Sequence, residues 1–265
     1  MEQDTRTKIL KATGLAIAAA VLYAMSTPFS KVLLDDVSPR MMASILYLGA
    51  GIGLLLASVT GRALGHRNGD APLDRSDLPY TVAMIILDIA APILLMTGLT
   101  MTSSATTSLL NNFEIVATTV IAMVVFRERV SGTLWLAITL VTVSSILLSV
   151  DNVSGLELSP GALLVLGACF CWGLENNCTR RLSEKDPVQI TTIKGLFSGL
   201  GSLVIALYLG DPLPAVTLIC IILVLGFLSY GLSITTYIRA QRDLGASRVS
   251  AYYSLAPFIV LSTPT

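Results

Sequence analysis

Runs of about twenty apolar residues, following one another almost from end to end, constrain this chain more than any other feature. A run of roughly 18 or more apolar residues with few charges is long enough to cross a bilayer as a helix. Helices are the expected form there, because a helix satisfies its own backbone hydrogen bonds where no water is available. Nine such runs are read, over 10–34, 41–60, 79–101, 103–126, 131–150, 160–182, 188–209, 216–240 and 247–265. The ten-residue segments of alternating polarity that mark a membrane barrel are not found. Only 13% of the 265 residues are charged and 54% are hydrophobic, against about 25% charged in a soluble domain. The expected fold class is an all-α integral membrane protein, a bundle of about nine transmembrane helices. The basic patch and apolar run at the N-terminus resemble a signal peptide. The run is long for one and carries no convincing cleavage site, so it reads as a retained first helix.

The basic residues predict orientation, since cytoplasmic loops are enriched in Lys and Arg. With the N-terminus in the cytoplasm, the inside segments hold Arg6, Lys8, Lys11, Arg62, Arg67, Arg75, Arg127, Arg129, Arg180, Arg181, Lys185, Arg239, Arg242 and Arg248. The outside segments hold only Lys31 and Arg40, and Lys194 lies within a span. One missed or invented helix would scramble this alternation, so it supports both the span count and a multi-pass protein of the cell membrane. Net charge is zero, which implies no nucleic-acid partner. The one histidine, His66, falls in a loop, and Cys169, Cys171, Cys178 and Cys220 all fall in apolar stretches. They read as small apolar packing residues rather than as a metal site, and no metal or other cofactor is expected.

The chain also repeats itself. At an offset of 148 residues Pro39 meets Pro187, Gly51 meets Gly199 and Gly53 meets Gly201. Later the offset drifts to 143, where Thr102-Ser103-Ser104-Ala105 meets Gly245-Ala246-Ser247-Arg248. Five spans is an odd number, so the second copy enters the membrane in the opposite direction. Inverted repeats are a mark of secondary transporters, whose substrate site lies near the midplane between the repeats.

Three stretches resemble the EamA family of the drug/metabolite transporter (DMT) superfamily. They are Leu99–Leu110 at the link into span four, Phe126-Arg127-Glu128-Arg129-Val130 before span five, and Cys171-Trp172-Gly173-Leu174-Glu175-Asn176-Asn177 in span six. The resemblance covers essentially the whole chain. It implies two inverted repeats of the ten-helix DMT type: a first of five helices over 10–150, and a second of about four helices, C-terminally incomplete, over 160–265. It also implies export or uptake of a metabolite or drug with no enzymatic step. Two departures stand out. Many relatives have proline where this chain has Glu114, while the second repeat keeps Pro257 at the equivalent place. The family has ten spans, whereas this chain stops at Thr265, before the expected second glutamate turn and tenth helix.

Ionisable groups inside a bilayer are costly and mark functional sites by default. Asp88, Glu114, Glu175 and Lys194 are such groups. Glu175 and Lys194 lie on consecutive helices at similar depths of roughly 10 Å, at about 1.5 Å per residue, so an ion pair is feasible. Thr107, Asn111 and Glu114 share one helical face, and Trp172, Glu175, Asn176 and Thr179 form a second polar stripe. Both stripes are expected to line a central cavity, with Glu114 the leading candidate to read substrate or couple protons. The competing view is that polar groups simply hold membrane helices together. Asp88 has little polar support among its sequence neighbours. Glu128, between two arginines, reads as a capping or gate-pairing residue. Pro28, Pro92 and Pro257 are candidate helix breaks, and Gly49, Gly51 and Gly53 predict close helix approach.

The leading functional reading is a secondary active transporter of a small metabolite or drug, working by alternating access. Its partners would be the lipid bilayer, the small-molecule substrate, protons as the coupling ion and a second copy of the chain. No nucleotide-binding motif is present, so ATP is not its direct energy source. The competing readings are a membrane-embedded lipid-modifying enzyme and a non-transporting truncated fragment. An enzyme of that kind would need a clustered His, Asp or Glu constellation near an interface, which the sequence does not supply.

Overall fold

The computed structural model describes residues 2–63, 69–101, 110, 112–128, 131–148 and 160–253. Thr107, Asn111, Pro257 and His66 lie outside the described residues, as do 151–159 and 254–265. The described chain is helical almost throughout: α1 (Glu2–Leu33), α2 (Pro39–Ala63), α3 (Leu78–Met101), α4 (Phe113–Val124), α5 (Gly132–Leu148), α6 (Pro160–Leu182), α7 (Pro187–Tyr208), α8 (Val216–Leu244) and α9 (Ala246–Tyr253). Five of these are long and apolar enough to cross a membrane. The distribution of polarity is that of a protein in lipid. Ile52, Leu55, Leu56 and Val59 of α2 and Phe197, Leu200 and Val204 of α7 face outward, while Ser44, Asp88, Glu175, Asn177, Lys194, Ser198 and Gln241 are buried. The fold is an all-α membrane bundle.

Local chemistry sets where the helices begin. In α7, Pro187 occupies the first helical position behind Asp186, whose side chain accepts the Val188 amide at 2.9 Å. In α2, Pro39 follows Ser38, whose Oγ accepts the Met41 amide at 3.3 Å. Both are acceptor-proline starts, in which the cap satisfies an orphan N–H and proline has none to satisfy.

Helix pairing is set by glycine. A Cβ on Gly195 would stand 2.5 Å from the Gly51 amide nitrogen, and one on Gly51 would stand 2.5 Å from that of Leu196. α2 and α7 therefore cross at backbone contact. α2 meets α8 in the same way, with Gly49 against Leu223 and Gly226 against Leu46. The other principal pairs are α3 with α6, α1 with α8, and α4 with α6, while α9 packs against α1.

The two prolines in question do not interrupt their helices. α1 runs on through Pro28. α3 runs on through Pro92, which has no N–H to offer the Asp88 carbonyl one turn earlier. In α8, Phe227–Leu232 forms a π-helical turn.

Polar latches close the bundle at both ends. At the end where α2 begins, the Arg40 guanidinium grips Asp211 with bonds of 2.6 and 2.8 Å. The Asp211 carboxyl is held below its ordinary range by that guanidinium. At the end where α2 finishes, Arg242 of α8 donates to Asp70 and to the Ser183 and Lys185 carbonyls, and Lys185 pairs with Asp74 at 2.7 Å. The Lys185 ammonium and then the Ser76 donors keep the Asp74 carboxyl well below the usual carboxylate range. The chain leaves α4 through Arg127 in the left-handed region (φ 55°), and Glu128 comes to lie 3.5 Å from Arg180 of α6. Glu128 is thus an end-of-bundle ion-pair residue, remote from the central cavity.

Candidate functional site

Three charged groups from three helices meet inside the bundle. Lys194 of α7 lies 2.9 Å from Glu175 of α6 and 3.2 Å from Asp88 of α3. All three are more than nine-tenths buried. The second Asp88 oxygen accepts the Tyr47 hydroxyl of α2 at 3.1 Å, and the Thr179 hydroxyl donates to Glu175. Stripping ions of water costs several kcal/mol each unless opposite charge and hydrogen bonds replace it. The cluster supplies both, with one ammonium between two carboxylates. Asp88, poorly supported by its sequence neighbours, gains its partners from residues 41 and 106 positions away.

Glu114, in the first turn of α4, belongs to a second network organised by Asn176. The Asn176 amide donates to Glu114 at 3.0 Å and to the Thr118 hydroxyl at 3.3 Å. Its side-chain oxygen accepts the Tyr237 hydroxyl at 3.1 Å, and its backbone carbonyl accepts the Gln241 amide. Asn176 is one residue from Glu175, so α6 joins the two networks.

Between the networks runs an arc of tyrosines. Tyr47 packs on Tyr230, Tyr230 on Tyr23, Tyr23 on Tyr253 and Tyr253 on Tyr237, with ring centroids 4.9–5.6 Å apart. The arc starts at the hydroxyl that bonds Asp88 and ends at the hydroxyl that bonds Asn176. Arc and networks together line a cavity of about 240 Å³. Asp88, Pro92, Glu114, Trp172, Glu175, Asn176, Thr179 and Lys194 line it along with the five tyrosines.

The residues singled out in the sequence therefore fall into three groups. Asp88, Glu114, Trp172, Glu175, Asn176, Lys194 and Pro92 come together around one cavity. Glu128 sits elsewhere, at the end of the bundle. Thr107, Asn111 and Pro257 lie outside the described residues, and of Pro28 only the helical backbone is described.

Sequence reasoning missed the tyrosines. Five of the chain's eight line the cavity. Tyrosine in membrane proteins ordinarily concentrates at the two interfaces, so Tyr23 and Tyr230, well inside the spans 10–34 and 216–240, were the available signal. The π-helical turn that carries Tyr230 was missed as well. Such turns occur often at functional sites.

Comparison with known proteins agrees with this architecture. A solved crystal structure superposes with a TM-score of 0.74, covering 96% of this chain and 90% of the other at 16% identity, a likeness of fold alone. An uncharacterized transporter of Methanothermobacter thermautotrophicus is 27% identical over 94% of this chain and 78% of its own length. The uncharacterized transporter YyaM of Bacillus subtilis is 21% identical over 71% of this chain and 65% of its own. The EamA-like transporter family matches residues 10–150 and again 159–263. A helical membrane bundle matched by one family over nearly its whole length can be placed without further argument: this chain belongs to the EamA-like transporter family of the DMT superfamily.

Proposed function

We propose that this protein is a secondary active transporter that carries a small metabolite across the cell membrane by alternating access between two inverted halves, 10–150 and 160–265. The observation that carries the reading is the make-up of the cavity wall. Tyr23, Tyr47, Asp88 and Glu114 come from the first half, and Trp172, Glu175, Lys194, Tyr230, Tyr237 and Tyr253 from the second. A site divided between two bodies is exposed to one side or the other as they rock. The helix pairs support two equivalent halves. Exchanging α1–α4 with α6–α9 turns the α3–α6 pair into α8–α1, turns α4–α6 into α9–α1, and leaves α2–α7 unchanged. The ion-pair latches at opposite ends are then the gates that open in alternation.

Glu114 is the group we assign to proton coupling. Its named partners, Asn176 and through it Thr118, are neutral, whereas Asp88 and Glu175 share Lys194. Glu114→Gln keeps the shape and removes the titratable charge. In proteoliposomes loaded with a metabolite mixture and read by mass spectrometry, the protein should accumulate selected compounds under an imposed pH gradient. Glu114→Gln should lose at least about tenfold of that rate, and the dependence on the gradient with it. Wild-type liposomes that behave like empty ones under either gradient direction would refute transport. An unaltered pH dependence in the variant would refute the role of Glu114.

The N-terminus is assigned to the cytoplasm from the fourteen-to-two division of loop Lys and Arg. A cysteine at position 154 (Ser154→Cys) in a cysteine-free background should react with an impermeant maleimide in intact cells. Reaction only after lysis would invert the assignment.

A further inference from the structure

We infer that the substrate is a small organic ammonium ion, held within the tyrosine arc against Glu114. This rests on the transporter reading above and adds the chemical class of the cargo.

Charge is the first argument. Among the described residues lining the cavity, three carboxylates (Asp88, Glu114 and Glu175) face one ammonium, that of Lys194. With all four ionised, the sum is −2. Lys194 is already shared by Asp88 and Glu175, so it is not free to receive a substrate carboxylate or phosphate. An anion entering here would meet excess negative charge and no available cation. A neutral ligand would leave that excess uncompensated. A cation supplies what the residues lack.

The aromatic arc is the second, independent argument. Ring faces carry negative electrostatic potential, and a cation within about 6 Å of a ring centroid is attracted to it, more strongly when desolvated. With neighbouring centroids 4.9–5.6 Å apart, one cation near the middle of the arc lies close to several rings. Much of the hydroxyl chemistry of these tyrosines is already committed. Tyr47 bonds Asp88, Tyr237 bonds Asn176 and Ser250, and Tyr253 bonds Ser233. What those rings offer a guest is their π surface. A cage of rings bounded by carboxylates is the arrangement that recognises alkylammonium groups. Size sets a limit too. The cavity of about 240 Å³ falls below the roughly 300–1,000 Å³ of sites for drug-sized ligands, which points to a metabolite-sized amine.

The test uses three probes of one shape and different charge: cyclohexylammonium, cyclohexanol and cyclohexanecarboxylate. Trp172 lines the cavity and the chain has one other tryptophan, Trp135. Quenching of Trp172 fluorescence in a Trp135→Phe background of the whole purified chain therefore reports occupancy. The cation should bind at least about tenfold more tightly than the alcohol, a difference of about 1.4 kcal/mol, and the carboxylate more weakly still. Glu114→Gln should lower affinity for the cation by about tenfold while narrowing its advantage over the alcohol. Tyr230→Leu should weaken the cation about fivefold, and Tyr230→Phe, which keeps the ring, should weaken it less.

Equal binding of all three probes, tighter binding of the carboxylate, or no saturable quenching by the cation at millimolar concentrations would overturn the inference. The wild-type comparison decides this even if a variant fails to fold. Counterflow of cyclohexylammonium in proteoliposomes separates the two proposals. Binding without exchange would refute transport and leave the cation site standing. Exchange of the alcohol or carboxylate but not the cation would refute the cation site and leave transport standing.

Discussion

Lys194→Met is expected to cost this protein about 3–5 kcal/mol of folding stability, the usual penalty for removing one member of a buried ionic cluster. The magnitude follows from what remains. Asp88 and Glu175 are both nearly inaccessible and both lean on the same ammonium, so one substitution leaves two carboxylates without a counter-charge. Glu175→Gln should cost clearly less, because Lys194 keeps Asp88. The asymmetry also predicts the rescue. Adding Glu175→Gln to Lys194→Met should restore only part of the loss, and adding Asp88→Asn as well should restore most of it. Unfolding in detergent, followed by the exposure of buried Cys169 and Cys178 to a thiol reagent, gives the measurement. If Lys194→Met unfolds within about 1 kcal/mol of wild type, the cluster is not ionic in the folded protein.

Gly226→Ala is expected to be, with Gly49→Ala, among the most damaging single-methyl additions in the bundle. The new Cβ would stand 2.2 Å from the Leu46 carbonyl oxygen and 2.9 Å from its carbon. Non-bonded carbon atoms rest about 3.5–4 Å apart, and a backbone carbonyl cannot rotate away as a side chain can. α8 must therefore move off α2 by about 1 Å. Overpacking of this kind typically costs about 1–3 kcal/mol, and here the upper end applies. The shift would also reach the cavity, because Tyr230 follows in the next turn and packs on Tyr47 of α2. The control is Gly14→Ala in α1, where nothing lies within 4 Å of the added methyl. Gly14→Ala should melt with the wild type and Gly226→Ala well below it. Coincident melting of all three would mean that α2 and α8 are not packed at backbone contact.

Several of these features were legible in the sequence. The apolar runs gave the helices, because span length and composition are local properties set by bilayer thickness. Pro39 and Pro187, matched across the repeat, stood just before two of the spans, and the structure adds the reason: Ser38 and Asp186 cap the helices that follow, which is settled within one turn. Gly49, Gly51 and Gly53 marked α2 as a helix of close contacts. The approach of Glu175 to Lys194 was readable from their equal depths on helices joined by a short turn.

What the sequence alone determined about this protein is thus its membrane class, its helices, the position of its charged groups along each helix, and its family kinship. Tertiary structure alone decided which of those groups meet. Asp88 joined Lys194 from a distant helix, and Asn176 became the link between Glu114 and Tyr237. Tyr23, Tyr47, Tyr230, Tyr237 and Tyr253, from four helices, closed into one arc. The reason is geometric. Periodicity along a helix fixes which residues share a face, but it carries no information about which distant face that one will meet. That choice depends on where the backbones cross, and in this bundle the crossings are placed by contacts such as Gly51 on Gly195 and Gly226 on Leu46, between residues far apart in the chain.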